Sequence, residues 1–194
     1  MQKDQFGRIF GIPVWHSSGT LPEGTMEWAQ EFREKNPVSS QRSNRGGYQQ
    51  DIPKEEFPRK FVDHLIERTH SLPPYLITNL WLNINKKGDY NVTHCHGGSD
   101  LSFVWYLTDA GTKEDKGHLV FRDPHAFGNA KLDRYLEFKG DTVQWEMKAG
   151  DFLAFPSYLE HRVEPHTSEE DRVSIAGNCW VNDNPEDFDL TEII

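Results

Sequence analysis

The sequence predicts a mainly β protein, a jelly roll with helices packed in front of it. Two observations lead there. From residue 75 onward, short runs alternate apolar with polar residues and are bounded by Gly, Asp, Asn or Pro, the period of two that marks half-buried strands. Before residue 75 the apolar spacing is helical in two stretches instead. Many short strands with turn signals between them suit a sandwich or barrel rather than parallel βαβ units.

Taken in order, "RIFGIPVWH" (8–16) reads as a lead-in strand. "EGTMEWAQEFREKN" (23–36) carries Met26, Trp28, Ala29 and Phe32 near helical spacing, and Asn36-Pro37 stops it. Residues 38–54, rich in Ser, Gln, Arg and Gly, read as loop. "PKEEFPRKFVDHLIERTH" (53–70) reads as a second helix with Phe61, Leu65 and Ile66 on one side, ended by Leu72-Pro73-Pro74. Strands are then expected at 75–85, 101–109, 117–123, 141–150, 151–157, 161–166 and 171–182. One domain is expected over 1–194, with supporting elements in 1–74, a jelly-roll core in 75–182 and an acidic tail in 183–194.

Charge and composition narrow the function. With 31 acidic against 21 basic residues the chain carries −10, which repels phosphate backbones and anionic membranes, and no basic patch offsets it. Nucleic acid is therefore not an expected partner. No stretch approaches the roughly 18 to 20 consecutive apolar residues of a membrane span. Two cysteines, Cys95 and Cys179, make no disulfide framework and read as ordinary strand thiols, and no secretory h-region is visible. A reducing, cytoplasmic setting is the expectation.

The chemistry starts at "GDYNVTHCHGGSD" (88–100). On an extended strand His94 and His96 share a face while Cys95 points away. Neutral imidazoles suit divalent transition metals, and iron(II) oxygenases use two histidines and a carboxylate on one face of an octahedron, leaving positions open. Downstream, "AGDFLAFPSYLEHRVEPH" turns at Gly150-Asp151, runs through an apolar strand and delivers His161 five residues after Pro156. Arg172 and Ser174 then lie two apart on the last strand, a guanidinium and a hydroxyl suited to one carboxylate. The remaining histidines, His16, His64, His70, His118, His125 and His166, fit no pattern and are expected in surface or capping roles. Trp81 and Trp105 are within reach of a pocket.

In order and spacing, "NVTHCHGGSDLSFVWYL" followed by "FPSYLEHRVEP" and "RVSIAGN" resembles the iron(II)/2-oxoglutarate-dependent dioxygenases. More narrowly it is similar to a group of bacterial and phage oxygenases with the pattern H-x-H-P-x-S-x-x-S-G-V-Y-Y, then F-P-S-x-L-x-H-x-V, then R-x-S-I-x-x-N. The resemblance covers about residues 75 to 182, with "FGIP" (10–13) at the N-terminal side. It implies a double-stranded β-helix, iron(II) as metal, and 2-oxoglutarate with O2 as co-substrates. It further implies His94, His96 and His161 as metal ligands, with Asp100 as the alternative to His96 because the superfamily usually places a carboxylate second. Arg172 and Ser174 would hold the C5 carboxylate of 2-oxoglutarate. The activity implied is oxidative decarboxylation of 2-oxoglutarate to succinate coupled to hydroxylation of a small-molecule or peptidyl substrate. Gly97 stands where the group has Pro and Phe103 where it has Gly, so Phe103 is a candidate for narrowing the pocket; Asn83, Asn85 and Tyr106 are further candidate pocket residues.

Two rivals share the fold. Gly88, His94, His96 and Asp100 also fit the first cupin motif with Asp for Glu, and Gly150, Pro156 and His161 fit the second, although Tyr158 and Pro165 break it. A cupin-type metalloenzyme would not use 2-oxoglutarate and has no need of Arg172 and Ser174. The other rival is a non-catalytic jelly-roll binding module. The segments 38–54 and 109–140 are the candidates for covering the pocket mouth.

Overall fold

A computed structural model describes residues 5–9, 11–111, 117–124 and 142–182. The expected acidic tail and most of the 109–140 segment, with His125, lie outside them. Twelve strands and two α-helices are present among the described residues. They are β1 (Gln5–Ile9), β2 (Ile12–Ser17), α1 (Thr25–Lys35), β3 (Asn44–Arg45), β4 (Tyr48–Asp51), α2 (Arg59–Arg68), β5 (Tyr75–Asn85) and β6 (Tyr90–His94). After them come β7 (Leu101–Tyr106), β8 (Leu119–Arg122), β9 (Thr142–Trp145), β10 (Phe152–Pro156), β11 (His161–Val163) and β12 (Arg172–Val181).

The strands form two antiparallel sheets, a seven-stranded one in the order β1-β2-β10-β7-β12-β5-β4 and a five-stranded one in the order β3-β6-β11-β8-β9. That is the jelly roll with N-terminal helices that the strand spacing predicts. One apolar core lies between the sheets, around Val104, Phe121, Leu153, Phe155 and Leu159. The other lies under the helices, where Ala29 and Phe32 of α1 and Phe61, Val62 and Leu65 of α2 pack with Leu82, Trp105 and Ile175. Fully burying Phe61 and Leu65 contributes about 1.5–3 kcal/mol each, which fastens α2 to the large sheet.

Two sequence expectations are corrected. "RIFGIPVWH" is not one strand but parts of two, β1 and β2, which pair in a hairpin that passes through Gly11 at φ 76°. Residues 38–54 are not simply loop. They hold β3, which pairs with β6 in the small sheet, and β4, which pairs with β5 in the large one. This short segment therefore crosses from one sheet to the other.

Candidate active site

β12 is the spine of the site. Side chains two apart on a strand share a face, and Arg172, Ser174, Ala176 and Asn178 all line one cavity of about 460 Å³ between the sheets. Neighbouring strands extend these positions into rows. Ser174 is paired with Tyr106 on β7 and with Asn83 on β5, and Asn83 with Gln49 on β4. Ala176 is flanked by Val104 and Trp81, and Asn178 by Ser102 and Asn79.

Facing this spine are three histidines. His94 ends β6 and His161 begins β11, and the two are direct cross-strand partners with ring centroids 4.3 Å apart. His96 lies just past the end of β6 rather than on it, and its main-chain N–H donates to the Ser157 carbonyl, 2.9 Å, at the corner where the chain leaves β10 for β11. The potential ligand atoms of the three lie within 4.8 Å of one another. Each Nδ1 is already engaged: His94 donates to Val92 O (2.8 Å), His161 to Leu159 O (2.9 Å), and His96 to Asn178 Oδ1 (2.6 Å). A carbonyl oxygen can only accept, so the proton sits on Nδ1 and the Nε2 lone pairs remain free.

Burial holds all three imidazoles neutral. It lowers the pKa of His94 and of His96, and it takes His161, which also faces His94, down to about 3. Neutral imidazoles with fixed tautomers are what a divalent transition metal needs. Asp100 is not among them. Its carboxylate accepts from the Val181 main-chain N–H (2.9 Å), so the structure does not bring it to the histidines as the alternative to His96.

Arg172 is buried at the other end of the cavity. Its Nη1 donates to Gly117 O (3.0 Å) and its Nη2 to Asn85 Oδ1 (2.8 Å), while Nε has no partner. No carboxylate among the described residues forms an ion pair with it, so the neighbouring Glu169, Glu170 and Asp171 do not neutralise it. Burial lowers its pKa, with Tyr106 and Asp89 opposing. A buried guanidinium with an open donor and no carboxylate paired to it fits an anionic ligand group.

The other candidates divide. Asn83, Tyr106 and Trp81 line the cavity. Asn85 does not: it is buried and holds Arg172 instead. Phe103 also lines the cavity, with its ring stacked on Phe152 (5.2 Å) in the core under the helices. Trp105 also belongs to that core, against Phe61. Cys95 is no strand thiol; it is exposed in the loop after β6 and lines the cavity, while Cys179 is buried. His166, expected at the surface, is buried with Nε2 2.6 Å from Glu170 O.

Sequence reasoning missed Gln49, Ser102, Ser157 and Asn178. Parity could have found Asn178, because it lies an even number of residues after Arg172 and Ser174 in the quoted "RVSIAGN". Gln49 carried no signal, since it sits in a polar run without alternation.

A jelly roll whose cavity gathers three neutral histidines and a buried arginine with no paired carboxylate is consistent with a non-haem metal oxygenase of this fold. The model of the family described as "Putative 2OG-Fe(II) oxygenase" matches residues 79–178, 100 of the 194, and the chain belongs to that family. Iron(II) and 2-oxoglutarate are the cofactors this membership gives it. No curated protein matches the chain in sequence. Solved structures share the fold at low identity. The alpha-ketoglutarate-dependent carbocyclase SnoK from nogalamycin biosynthesis has a TM-score of 0.64 at 14% identity, covering 87% of this chain and 79% of its own. A Pseudomonas putida prolyl-4-hydroxylase gives 0.60 at 15%, with 87% and 92% covered. HygX from Streptomyces hygroscopicus, solved with nickel and 2-oxoglutarate, gives 0.58 at 13%, with 88% and 83% covered.

Proposed function

We propose that the protein is an iron(II)- and 2-oxoglutarate-dependent hydroxylase in which His94, His96 and His161 hold the metal and Arg172 with Ser174 holds the C5 carboxylate of 2-oxoglutarate. The observation that carries this reading is that three Nε2 lone pairs and one guanidinium with an open donor and no paired carboxylate share the same cavity. The donor set fits: neutral imidazoles for iron(II), and a charge-assisted receptor for a carboxylate. When bound, this pair supplies oxygen activation, in which 2-oxoglutarate and O2 give succinate and carbon dioxide and one oxygen atom enters a C–H bond of the substrate.

This chain's own residues bind, orient and exclude water. The β6–β11 pairing sets His94 and His161 against each other. Asn85 and the Gly117 carbonyl hold the Arg172 guanidinium toward the cavity, beside Ser174 and Tyr106. Burial raises the Tyr106 pKa, so the phenol stays protonated and able to donate. Val104, Leu119, Phe155 and Val163 supply an apolar wall that keeps water from competing with ordered reactants. Gln49, Asn79, Asn83 and Asn91 also line the cavity, polar groups suited to a hydrogen-bonding small molecule or peptidyl group.

The test is an anaerobic titration with iron(II) and 2-oxoglutarate, read by the visible charge-transfer band of bidentate chelation. Arg172→Ala is expected to weaken 2-oxoglutarate binding about 10- to 100-fold, the loss of charged hydrogen bonds worth about 1.5–3 kcal/mol. Admitting O2 should then release succinate. Metal binding with no band and no effect of the substitution would mean an enzyme that does not use 2-oxoglutarate. No metal binding would mean a binding module.

A further inference from the structure

We infer that Asn178 is a positioning residue that makes a histidine serviceable as the second metal ligand while keeping the site free of negative charge. The inference rests on the metal-binding reading above. His94 and His161 are oriented by main-chain carbonyls two residues back along their own chain, Val92 and Leu159, so the backbone alone sets them. His96 lies beyond the strand and has no such carbonyl. Its Nδ1 is met by side chains instead, most closely by Asn178 Oδ1 at 2.6 Å, with Ser102 Oγ at 3.0 Å.

That oxygen is itself pinned. Asn178 Oδ1 also accepts from the Ser102 hydroxyl (2.9 Å), and Ser102 Oγ is 2.8 Å from Ser157 Oγ, with both serines fully buried. The Ser157 carbonyl in turn holds the His96 main-chain N–H. Trp81 packs against the imidazole, ring centroids 5.5 Å apart. The result is one tautomer and one ring orientation, with Nε2 toward His94 and His161. Outer partners of this kind are worth 10- to 100-fold in metal affinity, and a carboxylate in the same place makes the imidazole a stronger donor. The chain has a neutral amide there. Three neutral ligands and a neutral outer partner leave the full cationic charge of the metal to attract a dianionic co-substrate.

Two substitutions separate orientation from charge. Titration with iron(II) alone, anaerobically, followed by 2-oxoglutarate on the loaded protein, is run on wild type, Asn178→Ala and Asn178→Asp, with the charge-transfer band and the thermal midpoint recorded for each. Asn178→Ala is expected to lose about 10- to 100-fold in iron affinity. Asn178→Asp, the same shape with a charge, is expected to bind iron at least as tightly as wild type, to bind 2-oxoglutarate several-fold more weakly, and to shift the band. A residue needed only for folding would lower every quantity together in both variants. Wild-type iron affinity in Asn178→Ala overturns the inference. His96→Ala tells the two readings apart: if it abolishes iron binding while Asn178→Ala binds iron as tightly as wild type, the triad stands and the positioning role falls. If His96→Ala binds iron unchanged, the triad reading falls and this inference with it.

Discussion

Asp100 sits four residues after His96, yet its carboxylate accepts from the Val181 main-chain N–H and fastens the end of β12, while its own N–H donates to Cys179 O. Asp100→Ala should leave iron affinity unchanged and cost about 1 kcal/mol of stability, a drop of about 2–4 °C in the thermal midpoint. Iron titration and thermal unfolding of the same sample check both halves. Individual site residues were unequally legible in the sequence. His161 and Arg172 stood out because strand, turn and charge patterns placed them beside apolar runs. The choice between His96 and Asp100 was not legible, since it depends on which side chain the loop after β6 turns inward. Asn85 was placed in the right region with the wrong role, because a strand's parity gives a face but does not say whether an amide meets the cavity or a neighbouring guanidinium.

Single elements carry their own constraints. Phe103 and Gly177 are cross-strand partners on the helix-facing side of the large sheet, and a Cβ at Gly177 would come within 2.6 Å of the Phe103 ring and 2.8 Å of Leu80. The phenyl ring at 103 is accommodated by a glycine on the adjacent strand. Gly177→Ala should cost about 1–3 kcal/mol by overpacking, and Phe103→Leu in the same chain should recover part of it, as read from urea midpoints. The turn before β10 has a pH signature. Burial pushes the Asp151 carboxyl up, but the nearby His16 imidazole (Nε2 at 3.6 Å) and hydrogen bonds from the Lys148 N–H and Ser18 outweigh this and hold it below its ordinary value. A depressed carboxylate stabilises fully above the unfolded pKa of about 3.9 and loses that contribution as pH falls through the lower folded value. Asp151→Asn should therefore destabilise at pH 7, and the gap from wild type should shrink toward pH 3. Urea unfolding at the two pH values measures it.

At the scale of the whole molecule, the candidate ligands come from both sheets: His94 and His161 from the small one, Arg172 and Ser174 from the large one. Metal and co-substrate should thus brace the sandwich. At one hundred times Kd a ligand that binds only the folded state adds about 2.7 kcal/mol, a rise of about 5–10 °C for a chain of this size, measurable by anaerobic thermal shift. The architecture was legible because the long strands alternate, and the exception is informative. "NRGGYQQD" shows no apolar period, and β3 and β4 exist because β6 and β5 offer them edges to pair with, a tertiary effect. β12 itself has a consequence for the length of molecule the site accepts. The proposed carboxylate receptor and the proposed support of His96 stand on the same strand, so their separation is fixed by counting residues from Ser174 to Asn178. Inserting one residue there would turn Asn178 toward the helices, whereas inserting two would keep its direction and push the ends about 6.8 Å further apart. On the proposed reading the strand is a gauge that sets how far apart the two ends of the co-substrate are held.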